Sequence, residues 1–105
     1  MAILEWKIQR ITAILLIPII IYLVCYLLNI NNLTYSEIRT DILSPLGLIF
    51  IILASSVIYT HSAFGLVVII EDYIHNMYIQ RLMINISNFI HILLCSSTII
   101  LIFIL

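Results

Sequence analysis

Three long stretches of this chain carry no charged residue, and no water-soluble fold can hide them all. Residues 11–28, 42–70 and 82–105 contain no Asp, Glu, Lys or Arg. A helix rises 1.5 Å per residue, so about 20 apolar residues cross the ~30 Å of hydrocarbon in a bilayer. The first stretch is just long enough. The second is longer than needed, so it is expected to tilt or to project into the headgroups. Inside hydrocarbon the backbone must satisfy its own hydrogen bonds, which makes each stretch a helix. The predicted fold is all-α: an integral membrane three-helix bundle with spans of about 11–28, 44–70 and 82–105, forming one domain over residues 1–105.

The remaining residues agree with these divisions. Only 9% of the chain is charged, whereas a soluble domain carries roughly 25%. Asn29, Asn31 and Asn32 stop the first helix. Ser44-Pro45 reads as an N-cap followed by proline in the first helical turn. Pro18 lies inside the first span, where membrane helices tolerate a kink. The loops are too short for a soluble domain, and the sequence has no basic patch for nucleic acid. No signal or transit peptide is expected, because the first residues lack a cationic start and a cleavage site. Cys25 and Cys95 each sit in an apolar run without Cys-x-x-Cys spacing, so they read as buried small hydrophobes. Abundant isoleucine, with asparagine outside the spans, is the bias of an AT-rich gene, as in an organelle or an AT-rich bacterium. Lys7, Arg10 and Arg81 lie on one side of the membrane and only Arg39 on the other. The positive-inside rule then puts the N-terminus in the matrix or cytoplasm and the C-terminus outside.

Two histidines, His61 and His91, fall deep within the spans, and ionisable groups at that depth are functional candidates. At 100° per residue, Gly47, Ala54, His61, Gly65 and Asp72 share a stripe roughly 40° wide. Small residues mark faces where helices or flat ligands approach closely. Gly65, one turn from His61, leaves the room that a large planar cofactor needs. Hydrocarbon favours the neutral imidazole, which is the form that binds iron and a usual axial ligand of haem. Arg10, at the inner side of the first helix, could pair with a haem propionate. The alternative for His61 is an interhelical hydrogen bond to a serine or a backbone carbonyl. His91 lies at a similar depth and shares a face with Ser87, Cys95 and Thr98, which reads as a protein-packing face. A haem bridged by both histidines is a further arrangement, and His75 is expected in solvent. Asp72 and Tyr73 stand where the second span leaves the membrane. A phenol beside a carboxylate there suits a quinone headgroup: the phenol donates a hydrogen bond and the carboxylate relays protons.

Taken in order, these residues resemble the small membrane anchor of succinate dehydrogenase, respiratory complex II, which is the small cytochrome b subunit of that complex. Gln9-Arg10-Ile11-Thr12-Ala13-Ile14 is similar to that family's Arg-x-Thr-Ala. Leu33-Thr34-Tyr35 follows in the first loop. His61, Gly65, Asp72 and Tyr73 keep the spacing His-x3-Gly-x6-Asp-Tyr, and Arg81-Leu82-Met83 opens the third span. The likeness covers nearly the whole chain. It implies a subunit that is not an enzyme by itself but anchors the flavoprotein and iron–sulfur subunits beside a second anchor, the cytochrome b large subunit. It implies His61 as an axial ligand of a shared haem b, Gly65 packed against that haem and Arg10 near its propionates. It also implies Tyr73 bonded to ubiquinone as substrate, with Asp72 beside it, and a mitochondrial inner membrane or, as the alternative, a bacterial one.

The chain departs from the family in its short polar N-terminus, in His91 and in a second loop about one residue longer. It lacks the Ser-Pro-His and the His followed by Arg-His of the large anchor. Two other readings compete with this one. A small multidrug exporter would need a fourth span and a membrane-embedded Glu, whereas all three Glu here lie at span ends. A structural accessory subunit of another respiratory complex would keep the anchor role without cofactor contacts.

Overall fold

A computed structural model of the chain describes residues 2–105. The chain folds as α1 (Ala2–Asn29), a 3-10 turn (Ile30–Asn32), α2 (Tyr35–Leu43), α3 (Pro45–Tyr73) and α4 (Met77–Ile104), with no strand among the described residues. Three of the helices, α1, α3 and α4, are long and apolar enough to cross a membrane. The long axis measures 51 Å, well beyond ~30 Å of hydrocarbon, so the helix ends reach into the headgroup layers. That explains a difference from the expected spans. Both α1 and α4 begin before their apolar runs and include Glu5, Lys7, Arg10 and Arg81. Apolar length bounds only the part in hydrocarbon; the helix itself continues into the interface.

The first loop contains a helix that hydropathy alone does not reveal. Thr34 and Glu37 form a capping box: Thr34 Oγ1 accepts from the Glu37 N–H at 3.2 Å, and Glu37 Oε2 accepts from the Thr34 N–H at 2.7 Å. Two orphan donors are thereby satisfied and α2 starts. Its last turn runs directly into α3, because Ser44 Oγ accepts from the Gly47 N–H at 3.0 Å and Pro45 follows in the first turn. Gly47 is required there, since a Cβ would overlap the carbonyl oxygen of Asp41. At the other end of α3, a three-residue connection ends with Asn76, whose Oδ1 accepts from the N–H groups of Tyr78 and Ile79 and so caps α4.

Helix α3 is the centre, with α1 and α4 both packed on it and α2 against its N-terminal end. Burial is inverted relative to a soluble protein. Among the described residues the buried ones are Thr12, Ala54, Ile70, Ser87 and His91, of which three are polar, while Leu46 and Phe103 are more than 80% exposed. In lipid the apolar effect between helices vanishes, and small residues and polar contacts hold the bundle. Cys25 and Cys95 are free but exposed. The expectation that they are buried fails because most of a three-helix chain's surface faces outward.

Candidate functional site

His61 stands near the middle of α3, on the face turned to α1. Its Nδ1 lies 3.0 Å from Thr12 Oγ1. Thr12 is buried at 7% exposure, and its hydroxyl is also 2.8 Å from the Ile8 carbonyl and 3.1 Å from that of Gln9. His61 is partly exposed, and its Nε2 makes no hydrogen bond among the described residues. The small-residue stripe explains the close approach: Ala54 is buried, and a methyl group on Gly65 would meet Gln9 Nε2 at an ordinary 3.7 Å.

His91 is placed differently. It is buried between α4 and α3, with Nδ1 2.7 Å from the Ser87 carbonyl and Nε2 2.9 Å from Ser62 Oγ. A carbonyl can only accept, so Nδ1 carries the proton and Nε2 accepts from the serine hydroxyl. Both ring nitrogens are thus committed within the chain, which closes the arrangement in which His61 and His91 together grip one haem. Because Ser62 neighbours His61 on α3, the two imidazoles do lie at one depth, as the sequence indicates. Tyr59 and Thr98 add a second hydrogen bond between the same helices. Of the face of α4 expected to pack on protein, Ser87, His91 and Thr98 do so, whereas Cys95 is exposed.

The charged and phenolic candidates occupy the end of the bundle where α1 starts and α3 ends. Arg10 is exposed, with its guanidinium carbon 5.0 Å from the Trp6 ring centroid. Two residues correspond to about 200° of helix, so Arg10 leaves α1 on the side opposite Thr12 and is not brought against His61. Asp72 is exposed and Tyr73 is 80% exposed at the last residue of α3. His75, in the connection, is exposed as expected. A cavity of about 390 Å³ opens between all three long helices, lined partly by Glu5, Glu71 and Asn88. A second, of about 220 Å³, lies between α1, α2 and α3, where the Tyr26 hydroxyl donates to Asp41 at 3.2 Å. No cluster of three His, Cys, Asp or Glu exists among the described residues.

Thr12 and Ser62 are the partners that residue-type reasoning passes over. Thr12 stands inside the Arg-x-Thr-Ala match, and that was the available signal; as the second residue of the first apolar run it gave no sign of lying level with His61. For Ser62 the signal was adjacency to His61.

Comparison with known proteins follows the same line. Residues 2–103 match the family described as succinate dehydrogenase/fumarate reductase transmembrane subunit. The chain is also similar to a protein named succinate dehydrogenase hydrophobic membrane anchor subunit, from Rickettsia bellii (strain RML369-C). The two are 34% identical over 70 residues, which is 67% of this chain and 56% of the relative. This chain therefore spans little more than half of that relative's length. No solved structure matches.

Proposed function

The chain belongs to the succinate dehydrogenase/fumarate reductase transmembrane subunit family, and from that premise we propose that it is the small, non-catalytic membrane anchor of a succinate:quinone oxidoreductase. Its partners are a second anchor subunit, the iron–sulfur subunit and the flavoprotein subunit. Its membrane is the inner membrane of a mitochondrion, which suits the AT-rich bias, or of a bacterium, which suits the Rickettsia relative. Its N-terminus faces the matrix or cytoplasm, a reading supported by the distribution of Lys7, Arg10 and Arg81.

The observation that carries the site reading is the open Nε2 of His61, held near the middle of α3 with its other nitrogen against Thr12. A b-type haem fits this donor, because an axial ligand needs one imidazole nitrogen free and the other anchored. When bound, the haem supplies a one-electron relay inside the membrane. A second ligand would be supplied by the partner anchor. Gly65, without a side chain, keeps the space beside the imidazole clear. Arg10, which leaves α1 on the side opposite Thr12, would hold a propionate by swinging off Trp6 and round the helix. An exposed cation–π contact is worth about 0.5–1 kcal/mol, and a charge-assisted hydrogen bond exceeds it.

At the rim, the Tyr73 hydroxyl donates a hydrogen bond to a ubiquinone carbonyl oxygen, and Asp72 holds a proton nearby. Their exposure in the isolated chain supports a pocket completed by neighbouring subunits. The test is purification of the tagged chain in mild detergent. Flavoprotein and iron–sulfur subunits should come with it in equal amounts, and the preparation should oxidise succinate. A pure chain, or one bound to subunits of a different respiratory complex, defeats the proposal.

A further inference from the structure

We propose that Thr12 is the positioning residue of His61: it accepts a hydrogen bond from Nδ1–H and thereby holds the imidazole in the tautomer whose Nε2 carries the lone pair. This rests on the reading of His61 as an iron ligand and adds to it the device that prepares the ligand.

The argument is a count of hydrogens. A threonine hydroxyl has one hydrogen and two acceptor lone pairs. Three groups surround that of Thr12: the Ile8 carbonyl at 2.8 Å, the Gln9 carbonyl at 3.1 Å and His61 Nδ1 at 3.0 Å. Carbonyls cannot donate, so the hydroxyl hydrogen is drawn to the helix carbonyls, as is usual for threonine within a helix. Only the lone pairs then remain for His61, and Nδ1 must be the donor. Nε2 is left unprotonated, which is what coordination to a metal requires.

The opposite assignment fails on two counts. It takes the hydroxyl hydrogen from both carbonyls. It also leaves an Nε2–H in an apolar layer where no described group accepts it, and a donor left unsatisfied in hydrocarbon is costly. Thr12 is stiff as well as buried: branching at Cβ and the bond back to Ile8 restrict χ1, so its lone pair points at a fixed place. His91 reaches the same tautomer by an independent route, through the Ser87 carbonyl, but spends its Nε2 on Ser62. The threonine is therefore what leaves an α3 imidazole both oriented and open.

The test uses the assembled complex with Thr12→Val, which removes the hydroxyl at constant shape, and Thr12→Ser, which keeps it. Haem is measured per flavoprotein subunit, and its midpoint potential and low-spin EPR signal are recorded. Loss of such a supporting hydrogen bond weakens metal binding about tenfold to a hundredfold. Thr12→Val should therefore lose haem readily on detergent washing, and the haem that remains should have a raised potential and a shifted EPR signal, because the ligand is less electron-rich. Thr12→Ser should restore all three. Wild-type values in Thr12→Val overturn the proposal, and so does equal disturbance in Thr12→Ser, which would mean packing alone. If Thr12→Val does not assemble, Thr12→Ala is read by the same criteria. His61→Ala run alongside separates the two ideas. A normal haem spectrum in His61→Ala refutes the ligand assignment itself, whereas its loss there, with Thr12→Val unaltered, refutes only the role of Thr12.

Discussion

On one side of α3, His61 meets α1 through Thr12; on the other, Ser62 meets His91 of α4. The two contacts lie one residue apart on α3 and at one depth. Both use an imidazole whose Nδ1 faces a neighbour's oxygen. They differ in what is left over. The α4 side is closed, with His91 buried, both its nitrogens engaged and a second bond between Tyr59 and Thr98. The α1 side is open, with one nitrogen unengaged. A buried imidazole with both nitrogens satisfied fixes structure, although the Ser87 hydroxyl beside it has no partner, while a ring nitrogen left unsatisfied in lipid asks for a partner from elsewhere. The same residue type thus serves as a clamp in one interface and as a candidate ligand in the other.

Exchanging the two histidines for alanine breaks the comparison most sharply. His61→Ala should abolish the b-haem signal of the complex, with little loss of stability from the single bond to Thr12. His91→Ala should do the reverse. It orphans Ser62, leaves a void, and should cost about 2 kcal/mol in thermal denaturation of the complex, with haem content unchanged. Should haem vanish from the His91 variant and survive in the His61 variant, clamp and ligand have been assigned the wrong way round.

The two glycines of the small-residue stripe offer the next largest effect. At Gly47 a new methyl would overlap the backbone oxygen of Asp41 and crowd that of Ile42 at 2.9 Å. Gly47→Ala must therefore move α2 against α3, at a cost of about 3 kcal/mol. At Gly65 only the end of the Gln9 side chain is near, at 3.7 Å, and alanine favours a helix by about 1 kcal/mol over glycine. This chain by itself tolerates Gly65→Ala. Loss of haem in a Gly65→Ala complex that melts normally would mark a cofactor packed beside His61; retention would mean the glycine serves helix packing only. Tyr73→Phe follows, with quinone reduction slowed about tenfold, the worth of one hydrogen bond, while dye-coupled succinate oxidation by the other subunits stays normal. Unchanged quinone turnover removes Tyr73 from the headgroup site.

How far the sequence carries depends on which physical signal each feature leaves. The three spans are legible because hydrocarbon demands a minimum apolar length, and Asn29, Ser44-Pro45 and the charges around them mark the ends. Helix starts are less legible, since α1 and α4 extend into the charged interface, where hydropathy is silent. For α2, the signal Thr34-x-x-Glu37 was present, but it is chemical, not hydropathic. Helical periodicity places His61 and Gly65 on one face, yet it cannot say which helix that face meets. Gly65 and the small-residue stripe set His61 apart from His91 in the sequence, but their partners, Thr12 and Ser62, are distant in sequence and leave no such signal. Arg10 shows the converse. Its two-residue offset from Thr12 already puts it on the other side of α1, a constraint that the motif match obscures.

The smallest effect belongs to the closed side and tests whether it is closed for structural reasons alone. Tyr59→Phe removes one hydroxyl from the α3–α4 interface and leaves Thr98 able to bond the Leu94 carbonyl, which it already contacts at 3.0 Å. No group is then orphaned, and a hydrogen bond between membrane helices is worth about 0.6 kcal/mol on average. The complex should melt slightly earlier, and its haem spectrum, potential and quinone turnover should match the wild type. Tyr59 and His91 tie the same two helices, so their effects on melting should add only in part when combined, as expected for neighbours sharing one interface. A change in haem potential on losing this hydroxyl would connect the two sides of α3 electrostatically, and the division into a structural and a functional face would have to be abandoned.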